Sequence, residues 1–148
     1  MLRSAVTHRV EARMSSTQAV LDHHLQCFGT CDLEGILADY TDESVVLIPE
    51  GELKGREAIR GFFTAAFAEF GRPGTTFAMK TMLVSGDCAF IVWDAETVDN
   101  RFESATDTFV IRDGRIAVQT YAAKVTPKSG EHASLADVPH RSEREATV

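Results

Sequence analysis

The chain has 148 residues, 44% hydrophobic and 25% charged, with a formal net charge of −7. That length supports one domain with one real core, and the composition is that of an ordinary water-soluble globular chain. The acidic balance argues against a nucleic-acid surface, which needs a basic stripe, and no apolar run reaches membrane-span length.

The opening MLRSAVTHRVEARMSS carries three arginines but no long apolar segment, so residues 1–15 read as a poorly ordered extension rather than a secretory signal. Ser16 or Thr17 can cap a first helix over 17–30, in which Val20, Leu21, His24, Cys27, Phe28 and Cys31 share one face at helical spacing. Asp32 caps a short second helix carrying Leu33, Ile36, Leu37 and Tyr40. The β-branched run SVVLI reads as a strand stopped by Pro49, and Gly51 and Gly55 bracket a turn. The third helix is REAIRGFFTAAFAEF, residues 56–70, burying Ile59, Phe62, Phe63, Ala66, Phe67 and Phe70, and GRPG ends it.

Four strand-like runs follow, at 76–85, 88–98, 102–112 and 115–125, separated by the turn signals Gly86-Asp87, Asp99-Asn100 and Asp113-Gly114. Helices first and strands last is the α+β pattern, here three N-terminal helices packed on one face of a curved, mostly antiparallel sheet. The core domain then spans 16–125, and the polar stretch 126–148 reads as a disordered tail. Three cysteines make no disulfide framework and read as reduced thiols in a cytoplasmic protein.

A two-residue turn at Asp99-Asn100 sets Val98 opposite Arg101, Asp94 opposite Ala105 and Val92 opposite Asp107. Asp94 and Asp107 then share a face with Phe90, Val92 and Phe109. Carboxylates on an apolar face need pairing, protonation or a ligand pocket, and repulsion between two of them would hold one protonated. The opposite face carries Ile91, Trp93, Ala95, Thr106, Thr108 and Val110. It too is apolar enough to need a cover, so a homodimer through the outer sheet face is expected, with Trp93 as an interface anchor. A type I turn with a Gly114 bulge puts Ala117, Gln119 and Tyr121 on the Asp107 face, whereas a type I′ turn would put Val118 and Thr120 there. The bulge is the favoured reading.

His24 sits centrally on its apolar helix face, as a core histidine with one hydrogen bond or as a pocket donor able to move a proton. His23 points about 100° away, toward the surface. The spacing of His24, Cys27 and Cys31 matches no standard zinc pattern, so no metal is assigned. No phosphate loop, nucleophile elbow or Walker pattern occurs, and no cofactor is expected.

The stretches AVLDHHLQCFGTCDLEGILADYTDESVVLIPEG, LKGREAIRGFF and TDTFVIRDGRI resemble SnoaL-like members of the ketosteroid isomerase and nuclear transport factor 2-like superfamily, over roughly residues 16–125. That resemblance implies a cone-shaped α+β fold with a pocket between helices and sheet, commonly as a dimer. The family hosts isomerases, cyclases, dehydratases, hydrolases and non-enzymatic binders, so the fold leaves the reaction open. By the resemblance, the isomerase's protonated-acid position falls on Asp107, its oxyanion-hole tyrosine on His24 and its general base on Ile48. Isoleucine takes no proton, so steroid isomerisation by that mechanism is not expected.

The combined reading is a pocket for a small, largely apolar carbonyl or hydroxyl compound. Its chemistry would be cofactor-independent acid–base work: isomerisation, dehydration or hydrolysis. Asp107, His24 and Asp94 are the catalytic candidates; Tyr121, Gln119, Val92, Phe109, Tyr40, Phe63 and Ile48 are the ligand contacts. A non-catalytic binding module or dimeric adaptor is the alternative.

Overall fold

The computed structural model describes residues 2–128, with side chains from Ser16 onward. Three helices, α1 (Leu2–Gly29), α2 (Leu33–Leu37) and α3 (Arg56–Phe70), accompany six strands. These are β1 (Val45–Ile48), β2 (Gly51–Lys54), β3 (Thr76–Ser85), β4 (Cys88–Glu96), β5 (Asn100–Arg112) and β6 (Arg115–Pro127). The backbone of α1 begins upstream of the expected cap at Ser16 or Thr17. The expected tail beyond 128 lies outside the described residues, while Thr126 and Pro127 extend β6 against Arg101 and Asn100.

Local chemistry sets the helix ends. Cys31 takes a left-handed turn at φ 53°, and the Asp32 carboxylate then accepts the Gly35 amide at 2.9 Å, satisfying an orphan donor of α2. The third helix has the bounds its sequence implies, with Gly55 before it at φ 86°.

The sheet order is β2-β1-β6-β5-β4-β3, parallel only at β1–β6. Strand β2 was expected as part of a turn; it pairs with β1 through Gly51–Lys54 instead. The core lies where α1, α2 and α3 meet the inner sheet face, around Leu21, Ile36, Ile59, Phe63, Ala105, Phe109 and Ile116.

The β4–β5 register corrects the expected one. Thr97 N–H donates to the Asn100 carbonyl at 2.9 Å and Glu96 pairs with Arg101, so the turn centres on Val98-Asp99. This moves the pairing by two residues and would by itself preserve which side chains share a face. A bulge between Glu103 and Thr106 then adds one residue to β5, with Ser104 at φ 50°. That single residue reverses the phase. Asp107 pairs with Ile91, not Val92, and Ala105 pairs with Trp93, not Asp94. Trp93, Ile91 and Ala95 therefore face the helices, and Asp94, Val92 and Phe90 face outward.

The β5–β6 turn also differs. Arg112 pairs with Arg115 across Asp113 (φ 52°) and Gly114 (φ 73°), the two positive angles of a type I′ turn. A bulge at the next step, where Val110 meets Val118 but Ile111 meets Ile116, restores the phase. Gln119 and Tyr121 thus reach the Asp107 face as expected, by a different backbone route. Ala117, at the bulge, does not follow the buried inner row set by Ile116 and Gln119. No helix among the described residues is long and apolar enough to cross a membrane.

Candidate functional site: a buried carboxyl in an aromatic cavity

Alternation along β4, β5 and β6 places Trp93, Asp107, Gln119 and Tyr121 on one inner patch, beneath His24 from α1 and Phe63 from α3. Between the layers lies a cavity of about 260 Å³. Its wall is mostly aromatic: Phe28, Phe62, Phe63, Phe70, Phe77, Phe102, Trp93 and Tyr121. Trp93 stacks near-parallel on Phe77, with centroids 5.1 Å apart, and on Tyr121, at 6.2 Å.

The Asp107 carboxyl is 6% exposed and held by two N–H donors. Trp93 Nε1 donates to Oδ2 at 2.8 Å, and Gln119 Nε2 donates to Oδ1 at 2.9 Å. Burial pushes its pKa up from 3.8 to about 6, and the Trp93 and Gln119 hydrogen bonds oppose that rise. Gln119 is itself oriented by Tyr40, whose hydroxyl donates to Oε1. The Tyr40 oxygen lies 3.5 Å from His24 Nδ1.

His24 is 4% exposed, in edge contact with Phe109 at 5.0 Å and with Phe63 at 5.8 Å. Burial, helped by the neighbouring His23, lowers its pKa from 6.5 to about 3, so the ring stays neutral across the physiological range. Burial also drives the Tyr121 phenol above its ordinary range, reinforced by the Asp107, Glu69 and Glu50 charges. Glu69 Oε2, at the cavity wall, already accepts from Thr97 Oγ1 at 2.7 Å and Asn100 Nδ2 at 2.6 Å.

Seven of the expected site residues gather here or directly behind: Asp107, His24, Gln119, Tyr121 and Phe63 line the cavity. Tyr40 and Phe109 are buried behind the lining, touching His24. Three do not gather. Asp94 is on the outer face, where it accepts the Ser104 amide at 2.8 Å and pairs with Lys80 at 3.6 Å. Repulsion between it and Asp107 therefore plays no part; burial alone raises the Asp107 carboxyl. Val92 shares that outer face, and Ile48, at the end of β1, packs on the core without lining the cavity.

Trp93 is the residue that sequence reasoning misplaced most consequentially, as an outward anchor. Its alternation with Ile91 and Ala95 was legible, but the side that trio faces depends on the Ser104 bulge. His23 lies outside the cavity, half-exposed, with Nδ1 2.8 Å from Asp39 Oδ2.

The model of the SnoaL-like domain matches residues 21–119, and this chain belongs to that family. Among solved structures, an NTF2-like protein of unknown function from Mesorhizobium loti superposes with a TM-score of 0.62 at 22% identity, covering 76% of this chain and 93% of that one. A candidate polyketide cyclase from Sinorhizobium meliloti gives 0.60 at 20% identity, over 70% of this chain and 94% of that one. A candidate ketosteroid isomerase from Kribbella flavida gives 0.61 at 18% identity, over 80% and 87%. These likenesses establish the nuclear transport factor 2-like fold; at such identities they carry no reaction. No curated protein matches the chain.

Proposed function

We propose that the cavity binds a small, largely apolar compound carrying a carbonyl or hydroxyl group, and that Asp107 is its acid–base group. The observation that carries this reading is a carboxyl buried between two N–H donors at the end of an aromatic cavity, with its pKa raised to about 6. A group so poised is mostly ionised at neutral pH, yet can take and return a proton with little driving force lost. The reaction classes that fit are cofactor-independent isomerisation, dehydration or hydrolysis. With Asp94 on the outer face, one carboxyl would both remove and restore the proton. His24, neutral at working pH, would orient the ligand rather than act as a cationic acid.

A non-catalytic binder is the second reading. It is favoured by the engagement of Glu69 with Thr97 and Asn100, which leaves Asp107 without a second free acid on the cavity wall among the described residues. Asp107→Asn separates the two readings. Loss of turnover on a panel of aryl ketones and alcohols, with ligand affinity kept, supports the enzyme. Undiminished turnover refutes the acid–base assignment, and binding without turnover in the wild type supports the binder.

The same reading includes a homodimer in the cytosol. One outer row, Leu83, Phe90, Thr108, Thr120 and Leu47, runs uncharged across the sheet in register. Leu83 is 61% exposed and Phe90 37%. A second copy laid on this row would cover it, while the Lys80–Asp94 and Lys124–Glu103 pairs flank it.

A further inference from the structure

The polar end of the cavity is wired in one direction. Trp93 is a donor only, and a carboxylate is an acceptor only. Gln119 turns its Nε2 to Asp107 at 2.9 Å, which leaves its Oε1 to accept from Tyr40. The Tyr40 proton is spent in that bond, so its oxygen has only lone pairs to offer His24. His24 Nδ1, 3.5 Å away, must then be the protonated ring nitrogen. A neutral imidazole carries one proton, which leaves Nε2 a bare lone pair. That atom has no hydrogen-bond partner among the described residues, on a ring 4% exposed that lines the cavity.

Resting on the ligand-pocket reading above, we propose that His24 Nε2 is a hydrogen-bond acceptor facing the cavity, and that the site therefore selects ligands that donate there: a phenol, enol or alcohol in preference to an ether or ketone. Asp107 adds further acceptor lone pairs at the same end. Tyr121, whose hydroxyl has no hydrogen-bond partner among the described residues, supplies the complementary donor. A ligand hydroxyl can donate to His24 and accept from Tyr121 at once; a carbonyl can only accept, and would leave the buried Nε2 unpaired. Glu69 is the other charged group on the cavity wall, already engaged with Thr97 and Asn100. Tyr40 is in this scheme a positioning residue, setting the tautomer of a ring it does not need to hold in place.

The test is direct. At neutral pH, long-range proton–nitrogen NMR on the full chain should show His24 protonated at Nδ1 and unprotonated at Nε2; the opposite tautomer overturns the proposal. Calorimetry should find 2-naphthol bound at least about tenfold more tightly than 2-methoxynaphthalene, which has the same rings and no donor. In His24→Phe that ratio should fall below about threefold, with 2-methoxynaphthalene binding retained. In Tyr40→Phe, whose folding is checked by near-UV circular dichroism, the tautomer should become mixed and the ratio should narrow. Equal binding of the two probes by the wild type overturns the acceptor assignment alone. A ratio that survives His24→Phe assigns the selectivity to Asp107 and also overturns it. Binding of neither probe overturns both this proposal and the pocket reading.

Discussion

The Trp93 indole N–H donates to Asp107 Oδ2 at 2.8 Å, joining the sole tryptophan of the chain to a buried carboxyl of the cavity wall. The contact exists because both residues point inward from adjacent strands. It makes tryptophan fluorescence a reporter of Asp107 ionisation. Emission should shift with a midpoint near pH 6 in the wild type, and that step should vanish in Asp107→Asn.

Stability against pH should show two opposed slopes. The folded pKa of Asp107 is raised from 3.8 to about 6, so the folded state binds more protons over that window; its contribution is full below 3.8 and is lost as pH rises through 6. The folded pKa of His24 is lowered from 6.5 to about 3, so the unfolded state binds more protons; its contribution is full above 6.5 and is lost as pH falls toward 3. Each acts at up to about 1.4 kcal/mol per pH unit, and over the shared window they largely cancel. Urea unfolding at several pH values should give a downward slope with rising pH in His24→Phe and an upward one in Asp107→Asn, relative to wild type.

Asp94→Ala should leave ligand binding unchanged and cost no more than about 1 kcal/mol, because a half-exposed carboxylate there braces only the Ser104 amide and Lys80. If it instead impaired the pocket, the observed register would be refuted. Denaturant melts and a binding titration decide this.

Phe63 is 2% exposed and touches His24, Phe67 and Tyr40. Phe63→Ala should cost about 3–5 kcal/mol and widen the cavity, so that larger ligands gain affinity relative to naphthalene-sized ones. A thermal melt with a ligand size series would check both effects.

Phe90→Glu, with or without Leu83→Glu, places charge in the middle of the outer row. Light scattering should show the mass of a dimer for wild type and of a monomer for the variant, with the cavity still binding ligand. A wild-type monomer would refute the dimer reading.

Much of the fold was legible because it rests on local rules. The Phe-rich period of α3, the Asp32 cap and the β-branched runs each act within a few residues. The four-residue β2 was missed because a short edge pairing carries almost no pattern of its own. The site was half legible: His24 and Asp107 announced themselves as polar groups on apolar faces. Asp94 has the same signature and lies on the other side.

Parity along β5, and everything built on it, turned on Ser104. A left-handed bulge position normally advertises itself with glycine or asparagine, and a serine there gives no warning. What the chain carried in its own residues was the order of elements, the amphipathic faces and the presence of acids that water could not easily reach. Which acid met the tryptophan was decided by one extra residue between paired strands. Strand phase is a relation between segments, set when the sheet closes on the helices, and no stretch of sequence contains it alone.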